Sequence, residues 1–142
     1  MQQQLVVFSL GTEEYGLPIT QVQEIIRYSE PRTIPSAYAS VRGVINLRGK
    51  IIPVLDLKHR LALPNAEGSE GKIVIVESQI GTAGLIVDEV DEVLTVDDEQ
   101  LEEPPASQSA HVRAVAKVEE RLLILLDPSD LLAEYGIQQL VA

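Results

Sequence analysis

The apolar residues of this chain fall into short runs rich in valine, isoleucine and leucine, and glycine or proline residues separate most of these runs. β-Branched side chains fit a pleated, half-buried surface, so they favour strands over helices. Short strands spaced this closely, without an alternating strand–helix pattern, are typical of small barrels and not of a parallel α/β sheet. We therefore predict a mainly β fold with only a few short helices.

The strongest hairpin signal lies between residues 41–47 and 51–55, two apolar runs joined by Arg48-Gly49-Lys50. Gly49 can adopt the positive φ that a tight turn requires. Pro53 has no N–H group to donate to a ladder, so we expect it at a sheet edge or beside a bulge. Further strands are predicted at residues 5–10, 73–76, 83–87, 90–96, 110–118 and 121–126. The aliphatic spacing around residues 90–96 would also suit a helix, and the β-branched residues there favour the strand.

Three segments carry helix signals. Residues 18–26 combine capping-box spacing with aliphatic residues on one helical face, which predicts a short amphipathic helix. Asp56 can cap a single helical turn. Asp127 as the cap and Pro128 at the first helical position predict a C-terminal helix over residues 128–140.

With 142 residues, the chain is expected to form a single domain. Its 22 acidic and 11 basic side chains give a net charge of −11, which disfavours binding to nucleic acid and to anionic lipid headgroups. The absence of cysteine excludes a thiolate nucleophile, a cysteine-rich zinc site and disulfide bonds. A protein partner or a small ligand is the expected interaction.

The first ten residues lack both a basic segment and a small-residue cleavage site, so they do not have the pattern of a signal peptide. No apolar run approaches the length of about 18 residues that a membrane-spanning helix needs. We therefore expect a cytoplasmic protein that does not insert into the membrane.

The sequence contains none of the short motifs that mark nucleotide-binding loops, zinc proteases or serine hydrolases. His59 and His111 have no acidic residue at a suggestive spacing, and we interpret both as surface residues. Residues 88–103 contain nine carboxylates and no lysine or arginine, which favours a solvated acidic edge that steers a basic partner. A calcium site or a carboxylate-based hydrolase in this tract is the alternative, although the EF-hand pattern is absent.

Residues 41–57 read Val-Arg-Gly-Val-Ile-Asn-Leu-Arg-Gly-Lys-Ile-Ile-Pro-Val-Leu-Asp-Leu, and this segment resembles the signature of the CheW-like domain family. Matching segments follow in family order at residues 8–16, 22–25, 84–90 and 122–127. The resemblance therefore covers nearly the whole chain. It implies a single domain over residues 1–142, built from two five-stranded SH3-like barrels that share a hydrophobic core. We place one barrel at residues 15–80 and the other at 81–127 together with the N-terminal strand at 4–11.

The resemblance also implies a function, that of a non-enzymatic adaptor in bacterial chemotaxis without catalytic residues, cofactor or metal. Such adaptors bridge the cytoplasmic tip of transmembrane chemoreceptors and the regulatory domain of the histidine kinase CheA. We expect a protein that is monomeric alone, joins CheA in rings and is recruited to receptor arrays at the inner membrane. The alternative is a CheW-like scaffold of a non-flagellar pathway, such as twitching motility or second-messenger control, which differs only in its partner.

Within this resemblance Arg48 is the first candidate for partner binding, because a guanidinium can hold a carboxylate through two hydrogen bonds and fix a junction. Gly43 is expected to meet a backbone requirement, and Asn46 to tie the turn through its amide. Glu24 fits a solvated helix position and a partner contact equally well.

The remaining candidates are aliphatic. Val22 and Val87 are expected to line a groove between the barrels that accepts the receptor tip, whereas exposed edge strands near Ile45 and Val54 are candidates for the kinase contact. The candidate partner-binding residues are thus Val22, Glu24, Gly43, Ile45, Asn46, Arg48, Val54 and Val87.

Overall fold

The computed structural model describes residues 1–35, 38–61, 63, 71–104 and 112–133. Strands dominate this part of the chain, as predicted, and none of its helices is long and apolar enough to span a bilayer. The strands are β1 Gln2–Leu10, β2 Glu13–Pro18, β3 Val22–Arg27, β4 Val41–Leu47, β5 Lys50–Asp56, β6 Lys72–Glu77, β7 Thr82–Val87, β8 Glu89–Asp97, β9 Leu101–Glu102, β10 Val112–Val118 and β11 Arg121–Leu126. The helices are α1 Leu57–Arg60 and α2 Pro128–Leu132, with 3₁₀ turns at Ile19–Gln21 and Asp98–Gln100.

The strands form two sheets. One has the order β8-β1-β2-β11-β10-β9, and the other has the order β3-β6-β7-β5-β4. Neighbouring strands are antiparallel except in the pairs β2–β11 and β5–β7. The first sheet joins both ends of the chain, whereas the second uses only the continuous segment 22–87.

Each sheet curls around its own core, because residues from opposite edges share one apolar cluster. In the first sheet, Val96 of β8 and Leu101 of β9 belong to the cluster around Leu5 and Leu123. In the second sheet, side chains of β3 and β4 pack together against β6. We call the two curled sheets barrel 1 and barrel 2. The predicted architecture of two small barrels is confirmed, although barrel 1 has six strands because the two-residue strand β9 pairs with β10.

A third apolar cluster, which we call the seam, joins the barrels. The seam takes Phe8 and Tyr15 from barrel 1, with stacked rings whose centroids lie 5.9 Å apart. Barrel 2 contributes Val74, Val76 and other side chains that are fully buried. Strands β1 and β6 therefore bury both of their faces, one in a barrel and one in the seam. Burying a large aliphatic or aromatic side chain stabilises the fold by about 1.5–3 kcal/mol, so the seam binds the barrels into one body.

The helix predicted over residues 18–26 is wrong beyond Gln21. Residues Val22–Arg27 form strand β3, in which half-buried and exposed side chains alternate. Val22 and Ile26 are four residues apart, a spacing that fits one face of a helix and one face of a strand equally well. Pairing with β6 decides between the two, because it buries Ile26 against the core of barrel 2.

The strands are divided between the barrels differently from the predicted division at residue 80. Strand β2 pairs with β1 and β11 in barrel 1, and β7 pairs with β6 and β5 in barrel 2. The pattern of a single strand does not show which distant strand will pair with it, so sequence periodicity carries no signal for this division.

Both predicted helix caps are present. The Asp56 carboxylate accepts a hydrogen bond from the His59 N–H, and the Asp127 carboxylate accepts one from the Ser129 N–H at 2.9 Å. Helix α2 begins at Pro128, as predicted. The segment 134–140 of the predicted C-terminal helix lies outside the described residues.

The predicted hairpin of β4 and β5 is also confirmed. Leu47 pairs with Lys50 across a two-residue turn. Pro53 pairs with Val44, whose N–H and C=O groups bond to the Arg32 backbone instead of to β5. Pairing of β5 with β7 begins only at Val54, so Pro53 interrupts neither ladder.

The seam predicts a contrast between two leucines on the same face of β11. Leu126 is fully buried in the seam, whereas Leu122 is 56% exposed. We expect Leu126→Ala to lower the free energy of unfolding by about 2–5 kcal/mol, because it leaves a cavity. The matched change Leu122→Ala should cost less than about 1 kcal/mol. Urea denaturation of both variants measures this contrast, and equal losses would contradict the assignment of the seam.

Candidate functional site

The turn between β4 and β5 places Arg48 against Glu24 of β3. The guanidinium forms a two-point ion pair with the carboxylate, with 3.2 Å between Nη1 and Oε1 and a second contact between Nη2 and Oε2. Strands β3 and β4 are the two edges of the barrel 2 sheet, so this pair spans the gap between the edges. Two residues that the sequence marked separately therefore form one site.

The exposure of the pair is uneven. The Arg48 side chain is 68% exposed and that of Glu24 is 24% exposed. The pair uses two of the five N–H donors of the guanidinium. A side chain this exposed can present its other donors to a carboxylate or carbonyl of a second molecule while Glu24 holds its orientation.

The backbone of the turn fixes the direction of Arg48. Arg48 and Gly49 have positive φ angles of 51° and 88°, and the Asn46 Oδ1 accepts a hydrogen bond from the Gly49 N–H at 2.8 Å. Both features agree with the expectations for Gly49 and Asn46. A two-residue turn with positive φ at both positions matches the twist of the hairpin strands, so the tip is well ordered.

Gly43 allows the segment around Arg32 to cover the outer edge of β4. Arg32 and Val44 exchange two backbone hydrogen bonds of 2.8 and 2.9 Å. Gly43 has a φ of 150°, and a Cβ atom at this position would lie only 2.1 Å from the Arg32 carbonyl oxygen. Gly43 therefore meets a backbone requirement, as expected.

Three aliphatic candidates are buried and do not offer an exposed contact. Val54 and Val87 are fully buried, and Ile45 is nearly so. Ile45 lies on the edge strand β4, but its side chain points into the core of barrel 2. Val54 lies on β5 between two neighbouring strands, and Val87 packs in the seam. The predicted edge strand near Ile45 is present as β4, but β5 near Val54 is an internal strand, and the side chains of Ile45 and Val54 point inward.

Val22 is half-buried, and it lines a groove of about 440 Å³ beside the 3₁₀ turn Ile19–Gln21. The other lining residues are polar and come from the 3₁₀ turn, from β3, and from the end of β6 with the turn that follows it. Val87 is not among the lining residues. This groove is lined by residues 20–23 and 77–79, so it is not the groove between the barrels in which Val22 and Val87 were predicted.

Two exposed aliphatic residues of barrel 2 were not among the residues predicted from the sequence. Ile25 follows Glu24 on β3, and Ile51 lies on β5 opposite Asn46. Both point away from the barrel core. The period-two alternation of β3 would have marked Ile25 as exposed, had the segment been recognised as a strand.

The acidic tract is spread along β8 and the following 3₁₀ turn, and most of its side chains are exposed. Several carboxylates have basic partners, among them Asp88 with Lys58, Glu92 with Arg121 and Glu102 with Lys117. Among the described residues, no group of three potential ligands could hold a metal ion. This arrangement supports a charged edge, which also discourages pairing of the edge strand β8 with other chains. His59 is exposed on α1, and His111 lies outside the described residues.

Arg121 of β11 forms ion pairs with Glu14 of β2 and Glu92 of β8 in barrel 1. Its Nε and Nη2 groups donate to the two oxygens of Glu14 at 3.0 and 2.9 Å, and Nη2 also donates to Glu92 at 2.8 Å. These hydrogen bonds lower the pKa of Glu14 below its ordinary value and raise the pKa of Arg121. Beside them, burial raises the pKa of Tyr15.

The lowered pKa of Glu14 predicts a pH-dependent contribution to stability. Its folded-state pKa lies below the ordinary 4.5, so the contribution is complete above that pH and is lost as the pH falls through the folded-state pKa. Glu14→Gln should therefore lower the free energy of unfolding by up to about 1 kcal/mol at neutral pH, with a shrinking deficit in acid. Urea denaturation across pH measures this deficit. In an Arg121→Gln background the deficit should vanish, and its persistence there would refute the role of Arg121.

Replacement by alanine is expected to cost more stability at Gly43 than at Gly49. Gly43→Ala should lower the free energy of unfolding by about 3 kcal/mol, because the new methyl group collides with the Arg32 backbone. Gly49→Ala meets no atom within 4 Å and should cost about 1–2 kcal/mol through its positive φ alone. Hydrogen exchange at the Val44 N–H should accelerate only in Gly43→Ala, and equal acceleration in both variants would contradict the close approach.

Comparison with known proteins places this site in a family. The model of the CheW-like domain matches residues 4–135. Chemotaxis protein CheW of Bacillus subtilis is 33% identical over 144 residues, which covers 98% of this chain and 92% of the relative. Chemotaxis protein CheW of Treponema pallidum is 35% identical over 148 residues, covering 98% and 87%. The crystal structure of the scaffolding protein TtCheW from Thermoanaerobacter tengcongensis is similar with a TM-score of 0.83 at 41% identity, over 89% of each chain. The chain therefore belongs to the CheW-like domain family.

Proposed function

We propose that this protein is a non-catalytic scaffold of bacterial chemotaxis that couples chemoreceptors to the histidine kinase CheA. Relatives named chemotaxis protein CheW and a neighbour named a scaffolding protein support this proposal. The observation that carries it is the exposed Arg48 guanidinium, held by Glu24 at the tip of a rigid hairpin.

Coupling without chemistry requires two partner surfaces on a body that does not deform between them. Both surfaces proposed below lie on barrel 2, and the close-packed, buried core of that barrel supplies this stiffness. A displacement of the partner on one surface is then transmitted to the partner on the other surface.

The first partner surface consists of Arg48, Glu24 and Val22. Glu24 and Val22 lie on β3 on either side of a bulge, and Val22 lines the groove beside the 3₁₀ turn. The exposed guanidinium suits a carboxylate of a helical hairpin, and the half-buried Val22 offers that hairpin an aliphatic contact. We assign this surface to the cytoplasmic tip of the receptor.

The second partner surface is the outward face of the hairpin of β4 and β5. Asn46 and Ile51 are paired there and exposed, in contrast to the buried Ile45 and Val54. We assign this face to the regulatory domain of CheA. On this proposal the protein is a monomer alone, enters rings together with CheA and is recruited to receptor arrays at the inner membrane. The alternative scaffold of a non-flagellar pathway uses the same surfaces with another receptor.

Replacement of Arg48 tests the receptor surface. Arg48→Ala should weaken binding of a receptor signalling fragment about tenfold or more, because it removes the exposed cation. The free energy of unfolding should change by less than about 1 kcal/mol, since the ion pair is largely solvated. Arg113→Ala is the matched control, because Arg113 is an exposed arginine of barrel 1 paired with Asp127. Isothermal titration with the receptor fragment and, separately, with the CheA regulatory domain measures both affinities.

An exchange variant separates direct contact from a structural role. Glu24→Arg together with Arg48→Glu restores the ion pair but removes the cation from the hairpin tip. If Arg48 contacts the receptor, the exchange variant should bind as weakly as Arg48→Ala. Recovered affinity would show that only the internal pair matters. Wild-type protein that binds neither the receptor fragment nor the kinase domain would end the proposal.

A further inference from the structure

Asp88 lies where the chain passes from barrel 2 to barrel 1, between β7 and β8. Its carboxylate Oδ2 accepts a hydrogen bond of 2.7 Å from the Gly11 N–H, in the turn between β1 and β2 of barrel 1. Its Oδ1 lies 2.8 Å from the Lys58 ammonium on α1, which directly continues β5 of barrel 2. The Asp88 backbone N–H donates to the Ser9 carbonyl at 3.1 Å. One residue is thus tied to both barrels, and we call Lys58, Asp88 and the Gly11 N–H the clasp.

The ion pair of the clasp is mostly removed from water, although Gly11 lies in an exposed turn. The Lys58 side chain is 11% exposed and the Asp88 side chain is 19% exposed. A buried ion pair gives up hydration energy, and apolar residues of similar volume often stabilise a fold equally well. The position of the pair at the crossing between the barrels therefore calls for a role beyond stability.

The seam and the clasp act differently on the arrangement of the barrels. Apolar burial is non-directional and depends on area, so it resists separation of the barrels more than small rotations between them. Charged hydrogen bonds require defined distances and angles, so a rotation that preserved the buried area would still break the clasp.

We infer that Lys58 and Asp88 are positioning residues that fix the orientation of barrel 1 relative to barrel 2. The consequence for signalling rests on the proposed function: with both partners on barrel 2, a fixed orientation sets where barrel 1 lies in the proposed rings with CheA, through which receptor control of the kinase would pass. The geometric part of the inference needs no partner and can be tested on the protein alone.

The test replaces both charges at once. Lys58→Met with Asp88→Asn removes the ion pair without leaving a buried charge unpaired, and the asparagine oxygen can still accept from the Gly11 N–H. The control is Lys117→Met with Glu102→Gln, which removes an exposed ion pair of 3.0 Å within barrel 1. Because the chain has no cysteine, spin labels can be attached at Glu77→Cys in barrel 2 and Glu120→Cys in barrel 1, both at exposed positions.

Double electron–electron resonance measures the distance between the labels. We expect the control to keep the wild-type distribution and the clasp variant to widen it about twofold, with an unfolding midpoint close to that of the wild type. A distribution identical to that of the control would overturn the inference, because the seam alone would then set the orientation. If the double variant does not fold, Lys58→Gln takes its place, and an unchanged distribution in that variant overturns the inference equally.

Binding measurements distinguish a failure of this inference from a failure of the proposed function. The clasp variant should bind the receptor fragment and the CheA regulatory domain separately with affinities within about twofold of wild type, whereas receptor control of kinase activity should fall at least about fivefold. Unchanged kinase control would overturn the signalling part of the inference. Wild-type protein that binds neither partner would refute the proposed function, while the distance measurement would still decide the orientation.

Discussion

The apolar seam is the interaction on which the other features of this molecule depend. Strands β1 and β6 each bury one face in a barrel core and the other face in the seam. Neither strand can therefore change its position without leaving a cavity in a barrel core or in the seam. A close-packed interior transmits displacement because it has few voids to absorb it. The seam therefore holds the two barrels together, although each has a core of its own.

The tip of the hairpin of β4 and β5 contains a strained backbone conformation at Arg48. Arg48 adopts a positive φ, which costs an L-residue with a Cβ atom about 1–2 kcal/mol. The Asn46 amide and the Glu24 carboxylate hold it there. Glu119 in the turn between β10 and β11 has a similar φ, so strain alone does not mark a binding site. What distinguishes Arg48 is the combination of a constrained backbone, an oriented side chain and an exposed charge.

Local sequence patterns were enough to predict most strands and the helix caps, but not which strands pair and which side chains meet. The hairpin around Gly49, the caps at Asp56 and Asp127 and most strand positions followed from local patterns. The strand at Val22–Arg27 did not, because two aliphatic residues four positions apart satisfy both periods. The ion pair between Arg48 and Glu24 joins residues 24 positions apart, and only the curling of barrel 2 brings them together. The burial of Val54 and Val87 could not be predicted either, because it depends on neighbouring strands that are distant in the chain.

The division of the strands has a consequence for how the chain is made. Barrel 1 needs β1 and β2 from the start of the chain and β8 to β11 from its end, whereas barrel 2 is encoded as one uninterrupted insertion between them. During synthesis, barrel 2 can close while the ribosome is still extending the chain. The first hairpin, apolar on both faces, must wait for residues 89–126 before it finds its partners. Until those residues are made, this hairpin exposes apolar side chains that are buried in the finished fold, and such exposure favours aggregation.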